Sequence, residues 1–175
     1  MERENLSKLQ KLTISAMVIA LYVVVLGATQ SFSFGAYQIR IATSLYALSY
    51  LFPFLVLPLG FANFLANTLF GGLGLLDMIG GGLVGIATSA LIVAVRRLGW
   101  PRWLIGLPIL LVPGLGVATW LSYLLQVPYW TMALSLCIGQ AVPAVVGVVL
   151  VHALGRVLYP RRGKAADGRG KGGQT

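Results

Sequence analysis

The sequence predicts an all-α integral membrane protein of six transmembrane helices, with both ends of the chain in the cytoplasm. Three observations lead there. Hydrophobic residues make up 58% of the 175 residues and charged residues only 10%, against about 25% charged in a soluble domain. The apolar residues fall in long runs, which a bilayer accommodates because outer helix faces then meet lipid instead of water. The net charge of +9 is concentrated between and beyond those runs. Arg3, Lys8 and Lys11 precede the first run, and Arg96, Arg97 and Arg102 interrupt the middle. Arg156, Arg161, Arg162, Lys164, Arg169 and Lys171 close the chain, leaving Arg40 as the exception. Short cytoplasmic loops collect Lys and Arg. Membrane orientation thus accounts for the basic residues, and no nucleic-acid partner is expected.

Residues 1–11 form a cytoplasmic N-terminal segment. A basic stretch followed by an apolar one looks like a signal peptide, but no A-x-A-like site follows and equally apolar segments continue, so cleavage is not expected. The first span is Leu12 to Ala28, and Phe32 to Ala36 form the turn after it. Tyr37 to Phe70 carries a single charge and splits into two short spans near Pro53. The split follows from parity: the three basic clusters share one side only if an even number of spans precedes Arg96. Gly71, Gly72 and Gly74 mark a tight turn. The fourth span runs from Leu75 to Val95 and stops at Arg96 and Arg97. The fifth runs from near Trp103 to near Gln126, where Pro128 breaks it, and the sixth from Tyr129 to about Leu158. The transmembrane domain is therefore 12–158. Residues 159–175, rich in Gly, Lys and Arg, form a disordered basic cytoplasmic tail. Trp100 and Trp103 fall at the inner interface and Tyr123, Tyr129 and Trp130 at the outer one, the depth that amphipathic rings favour.

The chemistry within the spans is sparse. The one cysteine, Cys137, excludes an intramolecular disulfide and CxxC zinc sites. A single Asp within the spans and no Glu after Glu4 leave no paired carboxylates, no HExxH and no Ser/His arrangement. Gly168-Arg169-Gly170-Lys171 lacks the spacing of a phosphate-binding loop. The chain is therefore not an enzyme, needs no cofactor and holds no metal; His152, without a metal partner, is interfacial. Charges within a membrane are costly and usually face the protein interior. Arg40 follows the first external turn and Asp77 the second, so both lie towards the outer leaflet, as one site or as an ion pair. Gln38, Asn63, Asn67, Gln126 and Gln140 add neutral hydrogen-bonding groups; Asn63 and Asn67, four apart, share a helix face. Tyr37, Tyr46 and Trp130 offer flat surfaces. Together these suit a small planar polar solute, although Asn and Gln also bridge transmembrane helices. Small residues recur four apart at Ala16 and Ala20, Ala62 and Ala66, and Gly81 and Gly85, a spacing that permits close helix approach.

Gln38-Ile39-Arg40, Ala66-Asn67 and Leu73-Gly74-Leu75-Leu76-Asp77, in this order, resemble the signature of QueT-type membrane proteins. These are substrate-binding (S) components of energy-coupling factor (ECF) transporters. The resemblance runs from about Leu12 to Val157. It implies an ECF S-component-like bundle of six helices in the cell membrane that captures a queuosine precursor, or a related 7-deazapurine, from outside. It also implies partners: a transmembrane coupling protein and two ATPase subunits that hydrolyse ATP on its behalf. Ala16 and Ala20 match the pair through which such components dock the coupling protein. Gln38, Arg40, Asn67, Asp77 and Gln140, with Tyr37 and Trp130, are the expected solute contacts. Two positions depart from the pattern: Thr43 and Gln140 stand where the family typically has Glu. The competing reading is a standalone secondary transporter, for which only Arg40 and Asp77 are available to couple ions.

Overall fold

The computed structural model describes residues 6–33, 38–71 and 73–158. The expected disordered tail, the start of the N-terminal segment and Tyr37 lie outside them. Every described element is helical. Helix α1 (Lys8–Ala28) starts a turn earlier than the apolar run because Ser7 and Gln10 form a reciprocal cap: Gln10 N donates to Ser7 Oγ at 3.2 Å, and Ser7 N to Gln10 Oε1 at 2.8 Å.

The stretch expected to hold two spans does break at Pro53, but its halves are unequal. The first half, α2 (Ile41–Leu51), is a 3₁₀ run from Ile41 to Ala47 that passes into one α turn. At about 2.0 Å per 3₁₀ residue and 1.5 Å per α residue it reaches roughly 20 Å, short of the ~30 Å hydrocarbon core. Almost every residue of it is buried. A membrane tolerates such tight, imperfect helix only where protein covers it. Phe52 is extended, as a residue before proline tends to be, and Pro53 opens α3 (Pro53–Gly71). After a left-handed Gly74 (φ 86°) come α4 (Leu75–Arg97), α5 (Arg102–Leu125) and α6 (Tyr129–Leu158). Among the described residues five helices are thus long and apolar enough to cross a membrane, and α2 is a sixth, shorter apolar element.

Contacts fix how the elements run. Phe70, near the end of α3, packs where a side chain on Gly27 would sit near the end of α1, so the C-terminal ends of these two helices meet. At the opposite end Arg96 Nη1 donates to the carbonyls of Tyr50 (2.7 Å) and Leu51 (2.9 Å), closing the C-terminus of α2 with a cation. Arg102 lies against Gly155 at this same end. Helix α4 meets α3 and α2 at Gly85, where a Cβ would stand 3.0 Å from Gly60 Cα and 3.1 Å from the Tyr46 hydroxyl. Ala62 and Ala66 are fully buried, whereas Ala16 and Ala20 are exposed.

Two apolar clusters fill the interior, one around Tyr22, Tyr46, Leu59, Ile92 and Ile109, the other around Val84, Val117, Leu121 and Leu136. Large apolar side chains also cover the outside, among them Leu57, Leu83, Leu134 and Val149. Arg40, Asn63, Asn67, Asp77 and Gln140 are buried. Polar groups inside and apolar groups outside is the distribution a bilayer selects.

Candidate functional site

The polar residues collect between the two apolar clusters. Gln38, Arg40, Thr43 and Tyr46 come from the segment before α2 and from α2 itself, Asn63 from α3, and Gln140 from α6. Val84, Pro113, Val117 and Leu136 supply the apolar wall. Gln38 takes a positive φ of 42° although it is not glycine, backbone strain of the kind that gathers at ligand sites. The tight winding of α2 puts Thr43 between two acceptors: its hydroxyl is 2.7 Å from the Arg40 carbonyl and 2.8 Å from Gln140 Oε1. One hydroxyl proton serves one acceptor at a time. The Arg40 carbonyl and the Gln140 amide oxygen thus compete for the Thr43 proton. Arg40 Nη1 reaches Asn63 Oδ1 at 3.5 Å, the long limit of a hydrogen bond.

A second polar group adjoins the first along the seam between α3 and α4. Asn63 Nδ2 donates to the Gly81 carbonyl at 2.6 Å, and one turn later Asn67 Nδ2 donates to the Asp77 carbonyl at 2.9 Å. Gly81 makes this possible, because a Cβ there would run into the Asn67 amide. Asp77 Oδ1 accepts from the indole Nε1 of Trp120, on α5, at 3.1 Å. Arg40 and Asp77 thus take different partners.

The arrangement brings together Gln38, Arg40 and Gln140 around one cavity and places Asn67 and Asp77 a helical turn away. It does not bring Trp130 there. That indole is 71% exposed and packs edge-on against Tyr129, 5.2 Å between ring centroids. The indole that reaches the polar groups is Trp120, which sequence reasoning passed over because nothing local marks it. Tyr22 was missed as well; it stacks on Tyr46 at 5.8 Å with the two hydroxyls 3.1 Å apart. Gln126 is exposed, and His152 Nδ1 lies 2.9 Å from the Val148 carbonyl.

The free space between the cavity groups is about 10 Å³, room for a single water. The site is therefore closed, and any organic solute must part its walls. Two wall elements depart from regular α-helix: α2 is wound as 3₁₀, and Pro113 interrupts the hydrogen-bond ladder of α5 beside the cavity. Among the described residues no cluster of His, Cys, Asp or Glu could hold a metal.

A multi-pass, all-helical membrane protein whose scarce polar groups meet in a closed internal cavity has the build of a membrane solute transporter. Comparison with protein families bears directly on this: residues 12–156 match the QueT transporter family. The chain belongs to that family. No curated protein and no solved structure matched it.

Proposed function

We propose that the chain is the solute-capture subunit of an ECF-type importer in the cell membrane. It takes up a small planar polar solute, a queuosine precursor or a related 7-deazapurine, from outside. The observation that carries this reading is the convergence of Gln38, Arg40 and Gln140, far apart in sequence, on one buried cavity in an otherwise apolar bundle. Asn67 and Asp77 extend the site along the α3–α4 seam. Thr43 and Gln140, where the resemblance leads one to expect two carboxylates, touch each other at 2.8 Å. A neutral hydroxyl–amide pair there favours a neutral face of the solute, since the charge-assisted pairing that carboxylates would give a cation is missing.

In this reading the chain crosses the membrane six times, with α2 as the short second crossing and both termini in the cytoplasm. The contact of Arg96 with the end of α2 supports it, because it draws the α2–α3 junction to the arginine end of the bundle. Transport then runs through a coupling protein and two ATPases. Ala16 and Ala20 lie exposed on α1, as a docking face requires.

The test is to purify the subunit in detergent and identify what stays bound by mass spectrometry, alongside co-purification from its native membrane. A retained 7-deazapurine and a stoichiometric coupling protein with ATPases are expected. Uptake by the chain alone in liposomes would instead make it a secondary transporter.

A further inference from the structure

We propose that Asp77 Oδ2 and Asn67 Oδ1 form a paired acceptor that takes an edge of the solute carrying two neighbouring N–H donors, as in a neutral 2-aminopyrimidinone. The inference rests on the solute-capture reading and assigns the polarity of its site. Asp77 and Asn67 are 2% and 1% exposed. Neither side chain is free to turn, because each spends its other polar atom on the protein. Asp77 Oδ1 accepts from Trp120 Nε1 at 3.1 Å, and Asn67 Nδ2 donates to the Asp77 carbonyl at 2.9 Å. The remaining oxygens, Asp77 Oδ2 and Asn67 Oδ1, are buried with no hydrogen-bond partner among the described residues. Buried acceptors are nearly always paired, so an orphan calls for an explanation, and two on adjoining residues call for a common one.

The surroundings point to a donor edge. Gly71 keeps the space beside the pair clear: a Cβ there would stand 2.9 Å from Asp77 Oδ2 and 3.4 Å from Asn67 Cβ. The pair also adjoins the cavity. Asn63, which lines the cavity, sits one turn from Asn67 on the same face of α3, and a Cβ on Gly81 would come within 3.4 Å of its Nδ2. A bound metal ion fits less well, since hard cations take six or more oxygens and this pair offers two. Asp77 also lies in the first turn of α4, where the helix's partial positive charge works against a cation. A donor edge satisfies both oxygens at once.

The experiment compares 7-deazaguanine with 7-deazahypoxanthine, which differ only by the exocyclic amino group, in calorimetric titrations of the detergent-purified full chain. Wild type is expected to bind 7-deazaguanine roughly 10- to 100-fold more tightly, the range for one hydrogen bond to a charged group. Asp77→Asn should lose most of that discrimination while its thermal unfolding stays cooperative. The wild-type comparison stands even if the variant does not fold. Equal affinity of wild type for both compounds overturns the inference and leaves the transporter reading intact. Binding of neither compound overturns the inference together with the reading of the solute as a deazapurine. Stabilisation of wild type by sodium over choline at equal ionic strength, without discrimination between the two bases, assigns the oxygens to a metal ion and also overturns it.

Discussion

Gln38 is the cavity residue whose identity and backbone conformation pull apart most clearly. Its backbone is left-handed, a conformation that costs an L-residue about 1–2 kcal/mol and glycine almost nothing. Gln38→Gly should therefore be more stable than Gln38→Ala by about 1 kcal/mol, the reverse of the order these residues take in helices. Thermal unfolding of the two variants in detergent checks this; equal stability would mean that the strain is absent. Both variants should lose solute affinity, since the amide that faces the cavity is gone. The buried polar residues were largely legible in advance, because polar side chains stand out against an apolar background. Their pairings were not. Thr43 and Gln140 are 97 positions apart, and Asp77 and Trp120 are 43 apart. Contacts of that span are set by how helices pack, and no local pattern records them. Choosing Trp130 over Trp120 was the result: both are indoles in apolar runs, and only the packing of α5 on α4 turns one inward.

Helix α2 is the element that sets the bundle's character. The proline break that separates it from α3 could be read directly from Pro53, because a pre-proline residue leaves the helical region. Its 3₁₀ winding could not, since Ile41–Ala47 is uncharged and has the composition of an ordinary span. What permits the winding is burial on all sides, with the Ser49 hydroxyl within reach of two acceptors, the Tyr46 carbonyl at 2.7 Å and the Ser89 carbonyl at 3.1 Å. Arg96 then satisfies the last carbonyls of α2. Arg96→Met keeps the length of the side chain and removes its donors, so it should destabilise by about 1.5–3 kcal/mol, the worth of hydrogen bonds from a charged group. Arg97→Met, an exposed neighbour in the same basic cluster, should leave the unfolding midpoint where it is. Equal effects of the two substitutions would show that Arg96 acts only through charge and does not tie α2 to α4.

At the scale of the whole molecule, basic clusters carried the most information, because membrane insertion reads them directly. They implied that the Arg96–Arg102 loop and the α2–α3 junction share an end, and Arg96 bonds that junction. For the proposed topology, cysteines are best placed at exposed Pro101 and Gln126 in a Cys137→Ala background. Gly71 and Gly99 are poorer probes: a side chain at Gly71 would crowd Asp77, and Gly99 has φ 71°. In intact cells an impermeant maleimide should label Gln126→Cys and spare Pro101→Cys; the opposite pattern would invert the orientation. The outer face of α1 bears on assembly. Only 17% of its apolar window is buried within the chain, against 39–50% for the other long helices, so α1 is the helix with the most surface left for lipid or a partner. Along that surface Ala16 and Ala20 lie one turn apart and exposed, beside Met17 at 67%. Two small residues at that spacing let a second helix approach closely, an advantage lipid does not need. Ala16→Leu/Ala20→Leu fills the gap without touching the interior. Solute binding by the purified subunit should stay at the wild-type level, since neither residue is near the cavity. If the chain is the importer subunit proposed above, co-purification of a coupling protein and energised uptake should both fall steeply. If binding and uptake fall together, the substitutions have damaged the bundle itself. If neither falls, α1 meets only lipid there and the docking face lies elsewhere.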